Sequence, residues 1–80
     1  MNRADILTKI KVAFVEVLEH ENFTLTDHTT ADDVDGWESI THMMIIEEIE
    51  KSFNIKFKLM DLMNMNNICD LINVIELEIN

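Results

Sequence analysis

The 80-residue chain has no proline, no tyrosine, one glycine, one cysteine and one tryptophan. Proline and glycine punctuate hairpins and tight turns, so their near absence excludes a many-stranded fold and leaves helices. A single cysteine, Cys69, excludes an internal disulfide and a cysteine-rich metal site. A reduced thiol on or near a core face is expected there. No apolar run approaches the roughly 20 residues of a membrane span, and the N-terminal MNRADILTKI holds no apolar block long enough for a signal peptide. These absences predict a cytoplasmic protein without a membrane span. A chain this short buries only about 60% of its unfolded surface, so one domain over residues 1–80 with a simple, local core is expected.

Lysine and arginine are also missing from residues 21–50, where nine acids stand: Glu21, Asp27, Asp32, Asp33, Asp35, Glu38, Glu47, Glu48 and Glu50. Nearly all of the net charge of −10 gathers in that middle third. Nucleic-acid binders show the opposite charge, so that class is excluded. An acid-only segment favours partners with basic patches, met by electrostatic steering. By itself such a run is more often a solvated loop.

Apolar periodicity predicts the elements. Ile6, Ile10, Phe14 and Leu18, widened by Ala13 and Val17, make an amphipathic helix over residues 3–19. Residues 20–38 lose that period and read as a long ordered loop pinned by Phe23, Leu25, Val34 and Trp37. Loops of this length in compact domains are often functional. A second helix over residues 39–52 carries Ile40, Met43, Ile46, Ile49 and Phe53 at steps of three or four, with Met44 and Ile45 adding apolar surface. Either Glu38 or Ser39 is the expected N-cap. A short helix is expected near Leu59 to Met63. Asn67 and Asp70 read as a capping box that opens a last helix lined by Ile68, Leu71, Ile72, Ile75 and Ile79. The alternation in IELEIN suits a strand, but one terminal strand has nothing to pair with. The fold class is all-α: a small four-helix bundle of three longer helices and one short one, with a long loop between helices 1 and 2.

The sharpest local feature is Gly36-Trp37-Glu38-Ser39-Ile40, between the acidic loop and the second helix. A serine at a helix start lies beside unpaired backbone N–H groups with partial positive charge, where a phosphate is stabilised. Most serines in this position are only caps. Here the surroundings add weight. The acidic loop, the Glu38-Ser39-Ile40 element, the apolar-acidic helix ending at EEIEKSF and the Asn67-Ile68-Cys69-Asp70 opening of the last helix together resemble the acyl carrier protein family over nearly the whole chain.

The resemblance implies that Ser39 carries 4′-phosphopantetheine, joined through the serine hydroxyl and taken from coenzyme A, so that the chain is a phosphoprotein. It implies a carrier that is not an enzyme and that presents an acyl thioester to enzymes of a fatty acid, polyketide or other specialised pathway. Implied partners are a phosphopantetheinyl transferase, an acyl-loading ligase or synthase, and acyltransferases with basic patches; a monomer is expected. Asp35, Glu38, Glu47, Glu48 and Glu50 are the expected docking acids, and Trp37, Ile40, Met43 and Met44 are expected to shape the contact beside the arm. Ile46 and Ile49 are assigned to the core. Glu38 and Ile40 replace the Asp and Leu of the usual Asp-Ser-Leu element and keep the chemical type, so modification is expected to survive. Met44 stands where members of primary fatty acid synthesis often carry an acid. Trp37 and His42 look more like stand-alone carriers of specialised pathways. Peptidyl carriers usually show two glycines before the motif; this chain has only Gly36. D-alanyl or aminoacyl carriers stay open.

Three other readings compete for the same residues. An EF-hand with Gly36 at its sixth position puts Ala31 first and His42 twelfth, where acidic ligands belong, so the register fails. A hydrolase pairing Ser39 with His42 one helical turn away lacks a glycine-flanked elbow and an evident oxyanion hole. His42 is expected at the surface or facing a partner, and His20 and His28 as solvated loop residues. The third rival is an unmodified acidic helical adaptor, separated from a carrier only by whether Ser39 accepts the arm.

Overall fold

The structure, a computed structural model, describes residues 2–79. Four α-helices follow in order: α1 Arg3–Leu18, α2 Ser39–Phe53, α3 Leu59–Met63 and α4 Ile68–Ile79. A 3-10 turn, Ala31–Asp33, interrupts the loop between α1 and α2. Residues 75–79 of the IELEIN stretch continue α4, so the alternation is helical there; Asn80 lies outside the described residues. The described residues contain no strand.

One apolar core joins the elements. Ile6, Ile10, Ala13 and Phe14 of α1 meet Ile45, Ile46 and Ile49 of α2 and Ile68, Leu71, Ile72 and Ile75 of α4. α1 packs directly on both α2 and α4. The stripes of α1 and α4 are those expected from the sequence. That of α2 is rotated. Its inward face runs through His42, Ile45, Ile46, Ile49 and Phe53, at the i, i+3, i+4, i+7, i+11 spacing of one helix face. Ile40, Met43 and Met44 therefore face outward, with Ile40 78% exposed. The expected stripe through Ile40 and Met43 is corrected accordingly.

The long loop is ordered by backbone bonding as well as by its apolar anchors. Leu25, Val34 and Trp37 are buried, and Phe23 packs at the core margin against Phe14, 5.8 Å between ring centroids. The carbonyls of Asp27 and Thr29 accept from the N–H groups of Cys69 and Ile68, each at 3.0 Å. The loop thus satisfies donors that the start of α4 would otherwise leave unpaired. Thr29 is buried and its hydroxyl accepts from Thr26 N–H at 2.8 Å. Asn67 Oδ1 caps α4 by accepting from Asp70 N–H at 2.9 Å. The reciprocal bond goes one residue further out than a capping box requires: Asp70 Oδ2 accepts from Asn66 N–H at 2.9 Å. Aspartate is one methylene shorter than the usual Glu or Gln, and the chain before α4 folds back to meet it.

Among the described residues, no helix is long and apolar enough to cross a membrane. Arg3 ties the start of α1 to α4 and to the loop, pairing with Glu76 and reaching Asp27 at 3.7 Å. Cys69 is half-buried and reduced, with Arg3 Nη2 at 3.7 Å from its sulfur.

Candidate functional site

Glu38 is the N-cap of α2 and Ser39 is its first helical residue. The cap is fixed from the other side of the turn. Glu38 N–H donates to the Thr41 hydroxyl at 2.8 Å, and that hydroxyl also reaches back to the Gly36 carbonyl. Gly36 adopts φ +87°, a left-handed conformation that favours glycine, and this lets the chain turn from the loop into the helix. Capping is thus done without the Ser39 side chain. Ser39 is exposed, and among the described residues its hydroxyl makes no hydrogen bond. A purely structural role as a cap is removed.

The chain has one other serine, Ser52, and it sits in the last turn of the same helix. The two serines are thus placed at opposite ends of one dipole. Amides at the N-terminal end attract an anion, while carbonyls at the C-terminal end repel it. The amides of Ser39 and Ile40 have no partner among the described residues. The helix dipole therefore favours a phosphate at Ser39 over one at Ser52.

A cavity of about 340 Å³ opens beside Ser39. Trp37, Ser39 and His42 line it on the α2 side, and Asn66, Asn67 and Leu71 line it on the α4 side. An exposed hydroxyl, unpaired helix amides and an adjoining cavity with amide side chains suit a phosphate-linked arm bearing amide groups.

Trp37 and His42 form the inner wall. Trp37 is 8% exposed and stands edge-on to Phe14, 4.9 Å between centroids. Its Nε1–H donates to His42 Nδ1 at 3.0 Å, and the two rings lie nearly parallel. Indole nitrogen can only donate, so His42 Nδ1 must accept, and the neutral ring carries its proton on Nε2. Burial pushes the His42 imidazole below its ordinary pKa. His42 is therefore half-buried and committed inward, a correction to its expected surface position. Trp37 is likewise corrected: it is a core residue that meets the site only through the cavity wall. Nothing in this pair activates Ser39, whose hydroxyl has no bond to His42.

The expected docking acids separate in the same way. Asp35, Glu38 and Glu47 are exposed, and Glu48 is half-exposed with Lys51 at 3.8 Å. Glu50 turns inward, its carboxylate accepting from Phe57 N–H at 2.9 Å to hold the α2–α3 connection, so it is corrected to a structural role. Ile40, Met43 and Met44 remain exposed on the outer face of α2. Leu59, Met60 and Met63 of α3 are more than 70% exposed and were not singled out by periodicity, because five residues are too few to define a face. His28 is exposed as expected. His20 is half-buried against Phe23 and bonds the Asp35 carbonyl through Nε2 at 2.8 Å. Among the described residues, no three His, Cys, Asp or Glu side chains gather as metal ligands.

The family model described as phosphopantetheine attachment site matches residues 8–75. Among solved structures, the chain is similar to the solution NMR structure of a holo acyl carrier protein from Geobacter metallireducens. The two are 32% identical, with 91% of this chain and 84% of that chain covered and a TM-score of 0.83. No curated protein sequence matches.

Proposed function

The chain belongs to the acyl carrier protein family, and from that premise we propose that its 4′-phosphopantetheine is joined to Ser39 and that it carries acyl intermediates for a fatty acid, polyketide or other specialised biosynthetic pathway. The observation that carries this reading is the free, exposed hydroxyl of Ser39 at the first position of α2, beside unpaired amides and a cavity. When bound, the arm supplies a thiol that holds the acyl group as a thioester. Carrier proteins are not themselves catalysts, and the chain's own residues have simpler duties.

Ser39 presents its oxygen to the transferase, and the cap made by Thr41 and Gly36 keeps it at the helix start. The N-terminal amides of α2 offset the negative charge placed there. Asp35, Glu38, Glu47 and Glu48 give basic enzyme surfaces a shared mark to steer towards, raising encounter rates without demanding tight binding. Ile40, Met43 and Met44 form an apolar strip beside the attachment point. Methionine's flexible side chain suits a surface that several enzymes meet in turn. Tethering raises the effective concentration of the intermediate at each of those enzymes. Glu50 acts within the fold, and Trp37 meets the site only from inside the cavity wall.

The test is the intact mass before and after incubation with coenzyme A and a broad-specificity phosphopantetheinyl transferase. One added phosphopantetheine in the wild type and none in Ser39→Ala is the expected result. No gain in folded protein that is not already holo makes this an unmodified acidic adaptor of the same fold.

A further inference from the structure

Residues 21–50 contain no lysine or arginine, and Asp35 and Glu38 stand beside Ser39. An anion attached to Ser39 therefore finds no cationic side chain in its own segment. The cavity beside Ser39 is lined by no lysine or arginine either, so the donors it offers are neutral. Besides the helix amides, His42 is the nearest side-chain candidate in sequence, one helical turn along, where residues i and i+3 are neighbours on the surface. It lines the same cavity as Ser39. Its ring is already set: Trp37 Nε1–H occupies Nδ1, which leaves the proton on Nε2. Nε2 has no partner among the described residues. A donor whose tautomer is fixed by a buried indole loses little freedom when it binds.

We propose that His42 is a positioning residue for the prosthetic arm: with Trp37 on its Nδ1, it donates its Nε2–H to the phosphodiester on Ser39 and turns the arm towards the cavity. This rests on Ser39 being the attachment point. The buried indole thus acts on the arm through the imidazole. Glu38 is the charged residue on the cavity wall. On the α4 side the same cavity is lined by Asn66, Asn67 and Leu71, and the Asp70 carboxylate is held by Asn66 N–H.

The experiment compares apo and holo protein, with the mass gain and its dependence on Ser39 established first. A phosphodiester keeps its single charge across the range where histidine titrates, so any pH dependence of its phosphorus resonance reports a neighbour. The expected result is an inflection of the phosphorus resonance between about pH 5 and 8 that disappears in His42→Gln. The His42 pKa, read from its ring resonances, should be about half a unit or more higher in holo than in apo, as a phosphate charge roughly 5 Å away produces even in a water-like dielectric. Should His42→Gln not fold, Trp37→Phe serves: His42 should then populate both tautomers and titrate higher in the apo protein. Modified protein with a flat phosphorus resonance and the same His42 pKa in both forms overturns the inference alone. An unchanged tautomer in Trp37→Phe overturns the role given to Trp37. No modification at Ser39 overturns the carrier reading and this inference with it.

Discussion

Replacing Trp37 with phenylalanine isolates the bond that holds the start of α2. Phenylalanine keeps a buried ring against Phe14, where Trp37 now stands at 4.9 Å and 79°. It deletes the Nε1–H that His42 Nδ1 accepts at 3.0 Å. A half-buried acceptor left without its donor costs about 1 kcal/mol, the low end of the range because the cavity admits water. The smaller ring gives up roughly another 1 kcal/mol of apolar burial at about 25 cal/mol per Å². The sum of about 2 kcal/mol lowers the melting temperature of a domain this size by roughly 8–16 °C. Thermal unfolding followed by far-ultraviolet circular dichroism, above the ordinary histidine pKa of about 6.5, measures it. A cycle with His42→Leu and the double variant separates the bond from the ring: the coupling should be about 1 kcal/mol. A variant that melts with the wild type, or two substitutions that add to within about 0.5 kcal/mol, refutes the Trp37–His42 interaction.

Acid should weaken the fold through the same pair. Burial holds the His42 pKa below its ordinary value of 6.5, so the unfolded chain binds the proton first and stability falls as pH drops from there towards the native pKa. Denaturant unfolding at several pH values should show that slope, and His42→Gln should flatten it. Gly36→Ala should cost about 1–2 kcal/mol through its φ of +87° alone, because an added Cβ meets Leu18 only at ordinary contact distance, 3.5 Å. Chemical denaturation measures this, and an unchanged midpoint would show that the turn relaxes. Reversing charge at Glu47 and Glu48 should slow modification by a basic transferase severalfold at low salt and little at high salt. A rate independent of salt would remove those acids from the docking surface.

α1 and α4 were legible because their stripes repeat every three or four residues without interruption, so only one rotation buries them. α2 was legible as a helix but not in its rotation. Ile40, Met43 and Met44 made the outer side look as apolar as the inner one, and the true inner stripe begins with a histidine. The spacing from His42 to Ile45, Ile46, Ile49 and Phe53 was the signal that could have placed it. Phe23, Leu25, Val34 and Trp37 were legible as anchors of the loop. Its carbonyls capping α4 were not, since a backbone acceptor leaves no mark on residue identity. Glu50 looked like its neighbours Glu47 and Glu48 because a bond to an amide seven residues away follows no helical period. The helix start at Ser39 was legible from its motif. That Glu38 and Thr41 relieve it of capping needed coordinates.

On the proposed reading Ser39, and not simply a serine of α2, carries the arm. Fragmentation of peptides from the holo protein separates the two positions, because Ser39 and Ser52 lie at opposite ends of one helix. Phosphopantetheine on the peptide containing Ser39, with the one containing Ser52 unmodified, is the predicted result. The group on Ser52, on a threonine, or on neither serine would contradict it.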